Sequence, residues 1–290
     1  MRLTIQHETR YAYDSAPTSV IELLRLTPAN SDTQSVRDWR IDVSGDAALQ
    51  RFDDAFGNIT HTFTTPVIGE GLVITATGTV DTSATSGVIS GGRERLPLGV
   101  YRRETDLTEA SPAIAALADD AQAACDGTPL DLAHNLNRLV NERVEFDSTA
   151  TDTATSAADA LTAERGVCQD LTHILLASAR LKGLPARYVS GYQFETGRAR
   201  DDHASHAWAE IHVDGLGWVG FDPTAGASSN ETYVRVAVGL DYLGASPMRG
   251  TNYGGAGEHM DVSVKMDEGA GGWQARQRQS QSQSQSQSQS

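Results

Sequence analysis

The sequence predicts an α+β protein: an all-β, sandwich-like N-terminal domain, then a linker, then a core of helices and returning strands. Three observations carry this. Residues 1–82 alternate with period two between turn residues. Residues 111–141 switch to apolar positions at helical spacing. After a further helical stretch beginning at Cys168, alternation returns, with a hairpin across 205–221. A length of 290 residues suits one large or two medium domains. We divide the chain into a β domain (1–82), a linker (83–99), a core (100–268) and a tail (269–290).

In order, Leu3-Thr4-Ile5-Gln6-His7-Glu8-Thr9 and Arg10-Tyr11-Ala12-Tyr13 alternate, and Pro17 closes the run. Strands are expected at 20–26, 39–43, 48–53, 59–64 and 72–80, separated by Pro28, Asn30, Gly45, Gly57-Asn58, Gly69 and Gly71. No titratable cluster converges here, so the expected role is structural or substrate-framing. Residues 83–99 are rich in Ser, Gly and Thr and read as a linker. Ser111-Pro112 opens an Ala-rich helix, and 129–141 carries Leu132, Leu136 and Val140 on one face. Cys125 ends the first of these and reads as a small structural hydrophobe. From Cys168, the residues Leu171, Ile174, Leu175 and Leu181 recur at helical spacing until Gly183 and Pro185 stop the run. Strands follow at 187–194, 205–213, 218–221, 232–238 and 262–266. The charged loop at 195–203 includes Asp201, Asp202 and His203, which we expect near the site. The Gln-Ser repeats of the tail cannot bury a core and are expected to be disordered.

A net charge of −15 argues against nucleic acid and anionic membrane surfaces as partners. Two cysteines, Cys125 and Cys168, exclude a disulfide framework and a Cys-rich zinc module. The strand-like start and the lack of a long apolar stretch make a cytoplasmic address the expectation.

Chemistry begins at Cys168. A cysteine in the first turn of a helix lies beside free backbone N–H groups and the positive end of the macrodipole, which stabilise a thiolate. His206 opens Ser205-His206-Ala207-Trp208-Ala209-Glu210-Ile211-His212, whose alternation places His206, Trp208, Glu210 and His212 on one face. Asp222 ends the returning strand Gly217-Trp218-Val219-Gly220-Phe221-Asp222. Thiolate, imidazole and carboxylate are the parts of a Cys-His-Asp triad. Parity supplies a check. A two-residue loop at Asp214-Gly215 turns Asp222 away from His206, whereas an odd loop or a bulge brings them to one face. The triad therefore requires an irregular hairpin. A metal site from Asp201, Asp202, His203, His206 and His212 is the competing arrangement, but its spacing matches no standard pattern. Trp208 and Trp218 read first as packing, and Glu210 and His212 as a solvated pair.

Gly166-Val167-Cys168-Gln169-Asp170, Ser205-His206-Ala207-Trp208-Ala209-Glu210 and Gly217-Trp218-Val219-Gly220-Phe221-Asp222-Pro223-Thr224 resemble the three triad blocks of the bacterial transglutaminase-like superfamily, in order and spacing. Tyr11-Ala12-Tyr13, Leu24-Arg25-Leu26-Thr27-Pro28 and Asp54-Ala55-Phe56-Gly57-Asn58 are similar to its N-terminal β domain, and Val238-Gly239-Leu240-Asp241-Tyr242 to its closing segment, with Leu240 a departure from the polar residue expected. The resemblance implies a papain-like α+β core with the Cys helix packed on an antiparallel sheet. It implies catalysis by Cys168, His206 and Asp222 through a thioester, without metal or cofactor. The oxyanion hole would use the Cys168 N–H, with Gln169 as a contributing polar neighbour and Trp208 beside the site. The substrate implied is a peptide or protein. Hydrolysis, as in a protease or amidase, is favoured over glutamine–lysine transamidation; a non-catalytic binding module on the same fold is the alternative from another class.

Overall fold

The structure is a computed structural model and describes residues 1–45, 47–66, 71–92, 94–148, 151–195, 197 and 205–269. The repeats of the tail and the loop residues Asp201, Asp202 and His203 lie outside the described residues. The N-terminal half forms β1 (Arg2–Ser15), β2 (Ser19–Thr27), β3 (Gln34–Val43), β4 (Gln50–Asp53), β5 (Ile59–Thr65) and β6 (Gly71–Thr82). Then come β7 (Val88–Ile89), α1 (Pro112–Ala123), α2 (Pro129–Arg143), β8 (Glu145–Phe146), α3 (Ala157–Ala163), β9 (Arg165–Gly166) and α4 (Cys168–Leu181). The chain continues through β10 (Ala186–Gln193), β11 (Ser205–Val213), β12 (Gly217–Asp222), β13 (Ala227–Ser228) and β14 (Tyr233–Gly239). It closes with α5 (Tyr242–Ala245), β15 (Met248–Tyr253) and β16 (Ala256–Glu268).

Two four-stranded sheets, β16-β1-β6-β3 and β15-β2-β5-β4, build the expected sandwich. In β6 every second residue from Leu72 to Thr82 is buried, the signature of a strand with one face on a core. Tyr11, Leu72, Ile74 and Ala76 from one sheet meet Val20, Leu24, Leu26 and Phe63 from the other. Each sheet, however, takes an outer strand from the far end of the chain. β16 pairs antiparallel with β1, Leu3 opposite Glu268, and β15 pairs with β2. Residues 248–268 thus belong to the sandwich and not to the core span of 100–268. The reason is hydrogen bonding: β1 and β2 each have one edge that β6 and β5 leave open, and β16 and β15 supply the missing partners. The segment at 83–99 is likewise no free spacer. β7 pairs with β12, and the Glu94 carboxylate accepts the Tyr101 hydroxyl, Trp218 Nε1 and Arg187.

The core sheet runs β13-β12-β11-β10-β14, with β7 beside β12. Ser111 and Thr128 cap α1 and α2, each followed by proline at the first helical position. Gly183, at φ +77°, lies just past the end of α4. Leu171, Ile174 and Leu175 of α4 pack on Ala207, Ala209, Ile211 and Val213 of β11, beneath residues of α1, α2 and α3. The other face of the sheet meets the sandwich through Tyr192, Val234 and Val236 against Leu3, Ile5, Val264 and Met266. At the outer edge of β14 the Gln34 amide bonds both backbone groups of Arg235 at 2.8 and 2.9 Å. The Asn58 amide does the same to Val238 at 2.7 and 2.8 Å. Two side chains thereby stand in for a neighbouring strand. Among the described residues no helix is long and apolar enough to cross a membrane.

Candidate active site

The turn into α4 explains its sequence. Val167 N–H donates to Asp170 Oδ2 at 2.8 Å, and the Thr151 hydroxyl donates to the same oxygen at 2.5 Å. A Cβ at Gly166 would stand 2.8 Å from that carboxylate, so glycine is needed there. Cys168 follows as the first residue of the helix, half-buried, with first-turn N–H groups around it.

Across from it stands His206, near the start of β11. Its Nε2 donates to Asp222 Oδ2 at 2.7 Å, and the Cys168 side chain acts electrostatically on the same ring. Asp222 has no solvent exposure. The hairpin parity is resolved by a three-residue loop. Val213 pairs with Gly217, which leaves Asp214, Gly215 and Leu216 between the strands, and Ala209 pairs with Phe221. Continuing that register sets Asp222 across from Trp208 and diagonal to His206. An even loop would have turned the carboxylate toward α4.

The electrostatics follow from these contacts. Burial opposes charging His206, but the hydrogen bonds and negative charges of Asp222 and Cys168 outweigh it and raise the imidazole to about 10. Burial pushes the Asp222 carboxyl up, yet His206, the Tyr233 hydroxyl and the Thr224 N–H hold it below its usual range. The ring is therefore an imidazolium held by a carboxylate at neutral pH.

Other expected residues separate in role. Gln169 is buried and its Nε2 is directed at the Thr153 carbonyl, 3.5 Å away. Trp208 is 2% exposed and forms a wall behind the imidazole, stacked on His206 at 6.2 Å and 25° and edge-on to Tyr233 at 5.3 Å. Gly191 makes room for it. A Cβ there would lie 2.1 Å from the Val234 carbonyl oxygen and 2.7 Å from Trp208 Cη2. Gly191→Ala accordingly costs about 1–3 kcal/mol of stability in urea unfolding; unfolding at the wild-type midpoint would show that the strands yield freely.

Glu210 is not solvated. It is fully buried, with Arg187 Nε at 2.6 Å and Arg235 Nε at 2.9 Å. Arg187 also reaches Glu94 at 2.9 Å and lies 3.9 Å over the Trp218 ring. His212 is half-buried, edge-on to Trp218 at 5.4 Å. Sequence reading missed Tyr233, Arg235 and Glu94 at this face, since none sits in a local motif. Cys125 stands apart beyond α1 with its thiol donating to the Thr128 carbonyl at 3.4 Å. Among the described residues, the one group with metal-ligand spacing is Cys125, Asp126 and Asp131. Local backbone N–H groups already occupy its Cys125 sulfur and its Asp131 carboxylate.

The family model of the transglutaminase-like superfamily matches residues 116–223, which hold Cys168, His206 and Asp222. That of the bacterial transglutaminase-like N-terminal region matches residues 3–81. The chain carries a transglutaminase-like core and a bacterial transglutaminase-like N-terminal region. Among its relatives, an uncharacterized protein of Mycobacterium leprae is 28% identical over 277 residues, covering 91% of this chain and 98% of that one. An uncharacterized protein of Mycobacterium tuberculosis is 28% identical over 293 residues, covering 92% of each. A proposed cysteine protease from Cytophaga hutchinsonii, solved by crystallography, superposes with a TM-score of 0.70 over 92% of this chain and 98% of its own. At 18% identity this likeness concerns the fold. The superposition spans both the β domain and the helical core of this chain.

Proposed function

We propose that this protein is a cysteine-dependent acyl-transfer enzyme that cleaves or exchanges amide bonds of a peptide-like substrate. The observation that carries the reading is the His206 ring hydrogen-bonded at 2.7 Å to the buried Asp222 carboxylate, with Cys168 at the first turn of α4 acting electrostatically on the same ring. In the first half-reaction the Cys168 sulfur attacks the amide carbon. Backbone N–H groups of the first turn of α4, that of Cys168 included, donate to the developing oxyanion. The C–N bond breaks as the His206 imidazolium gives its proton to the departing amine, leaving a thioester and a neutral ring. In the second, the ring takes a proton from water, the C–S bond breaks and a carboxylic acid departs. An amine in place of water yields a new amide, which is the transglutaminase outcome. Hydrolysis is favoured because water needs no acceptor pocket.

The raised imidazole fixes a pH window. The stability that the raised imidazole contributes is complete just below about 6.5 and fades as pH rises through about 10, while in acid the pair is lost as the Asp222 carboxylate is protonated. The test is intact-mass analysis after brief neutral-pH exposure to limiting iodoacetamide, on wild type and His206→Ala. Rapid single labelling at Cys168, slowed about tenfold or more in the variant, is the expected result. Slow and equal labelling of Cys125 and Cys168 overturns the reading in favour of a binding module. A labelled primary amine in the reaction then separates transamidation, which incorporates it, from hydrolysis, which does not.

A further inference from the structure

Asp222 is gripped from both ends. Oδ1 accepts the backbone N–H groups of Thr224 at 2.8 Å and Ala225 at 3.3 Å. Oδ2, the oxygen that meets His206, also accepts the Tyr233 hydroxyl at 2.7 Å. Tyr233 starts β14, with β10 and β11 between that strand and β12 in the sheet. Its neighbour on β10, Gln193, donates Nε2 to the same hydroxyl oxygen at 2.7 Å. That donation leaves the phenolic proton committed to the carboxylate and strengthens the bond it makes. The ring is wedged edge-on against Trp208. The β domain fixes the strand on either side of it: Gln34 bonds both backbone groups of Arg235, and the Thr82 hydroxyl donates to the Glu231 carbonyl.

We propose that Tyr233 is a positioning residue, whose hydroxyl holds and tempers the Asp222 carboxylate and thereby ties the His206 imidazole to a strand anchored by the β domain. This rests on the acyl-transfer reading above. A carboxylate oxygen shared between two donors presents less charge to the imidazolium, which then gives up its proton to a leaving amine more readily. The ionisable groups around the ring are Asp222 from β12, Cys168 from α4 and Tyr233 from β14, with Glu195 beyond β10 acting on Tyr233.

The test compares Tyr233→Phe and Gln193→Leu with the wild type in the full chain, using iodoacetamide as the probe. The rate of Cys168 alkylation is followed across the alkaline range, where the wild type shows a step as the imidazolium loses its proton. With the hydroxyl gone, the step moves up by about half a pH unit or more. Gln193→Leu moves it the same way by less. Thermal unfolding is recorded on the same samples, because a purely structural hydroxyl lowers the melting temperature without moving the step. A step that is unchanged or lowered in Tyr233→Phe overturns the proposal. Identical alkylation of wild type and His206→Ala overturns the acyl-transfer reading instead, so the two failures are distinguishable.

Discussion

Asp222→Asn lowers turnover of any peptide amide that the wild type hydrolyses by about 10³- to 10⁴-fold, with the fold intact. The magnitude comes from a forced tautomer. The backbone N–H groups of Thr224 and Ala225 require an acceptor at the position of Oδ1. The carboxamide oxygen takes that place, which turns its NH₂ toward His206 and Tyr233. His206 Nε2 must then accept, its proton moves to Nδ1, and the ring meets the Cys168 sulfur as a donor that cannot relieve a thiol of its proton. The counter-charge that raises the imidazole is lost as well, so the alkaline limb falls from about 10 toward the ordinary histidine value. Activity against pH, with circular dichroism to verify the fold, checks both statements. Turnover within tenfold of wild type would remove the carboxylate from the mechanism.

Glu210→Gln costs about 3–5 kcal/mol of stability, the largest loss expected from an isosteric change in this chain. Glu210 is buried between Arg187 and Arg235. Burial pushes its carboxyl up, but the two guanidinium groups outweigh this and hold it below its usual range. The amide keeps the shape and removes the charge, leaving two guanidinium groups with Glu94 as the remaining carboxylate on Arg187. The sign in pH follows: the contribution is full above the ordinary glutamate range and disappears as acid protonates the group in the folded state. Urea unfolding at neutral pH and at about pH 4 reads both effects, with the gap between variant and wild type narrowing in acid. An equal gap at the two values would assign the loss to packing.

Much of the site was legible because each of its parts has a local signature. Cys168 follows a glycine that the Asp170 cap requires. His206 lies on an alternating strand, and Asp222 is tied to it by a hairpin parity that can be counted. Tyr233 had no such mark. Nothing in Thr232-Tyr233-Val234 says that its hydroxyl will meet a carboxylate from a strand three places away in the sheet. Glu210 was assigned to the correct face of β11 and the wrong medium, since alternation does not say that a β domain covers that face. The sandwich itself was readable from 1–82, whereas β15 and β16 paired where only the three-dimensional edges of β1 and β2 could tell them to.

That return of the chain bears on how the protein is made. β1 lies between β6 and β16, and β2 between β5 and β15. On a ribosome both strands emerge early and then wait, each with one flank bare, while the intervening residues are synthesised. The helical core therefore has every opportunity to form before the sandwich is complete, and closing the sandwich is a late, long-range event. The interval in which β1 and β2 stand half-paired is the period of greatest exposure to mispairing with other chains. Synthesis that stops short of residue 248 yields a protein with its site residues present and its supporting domain unsealed.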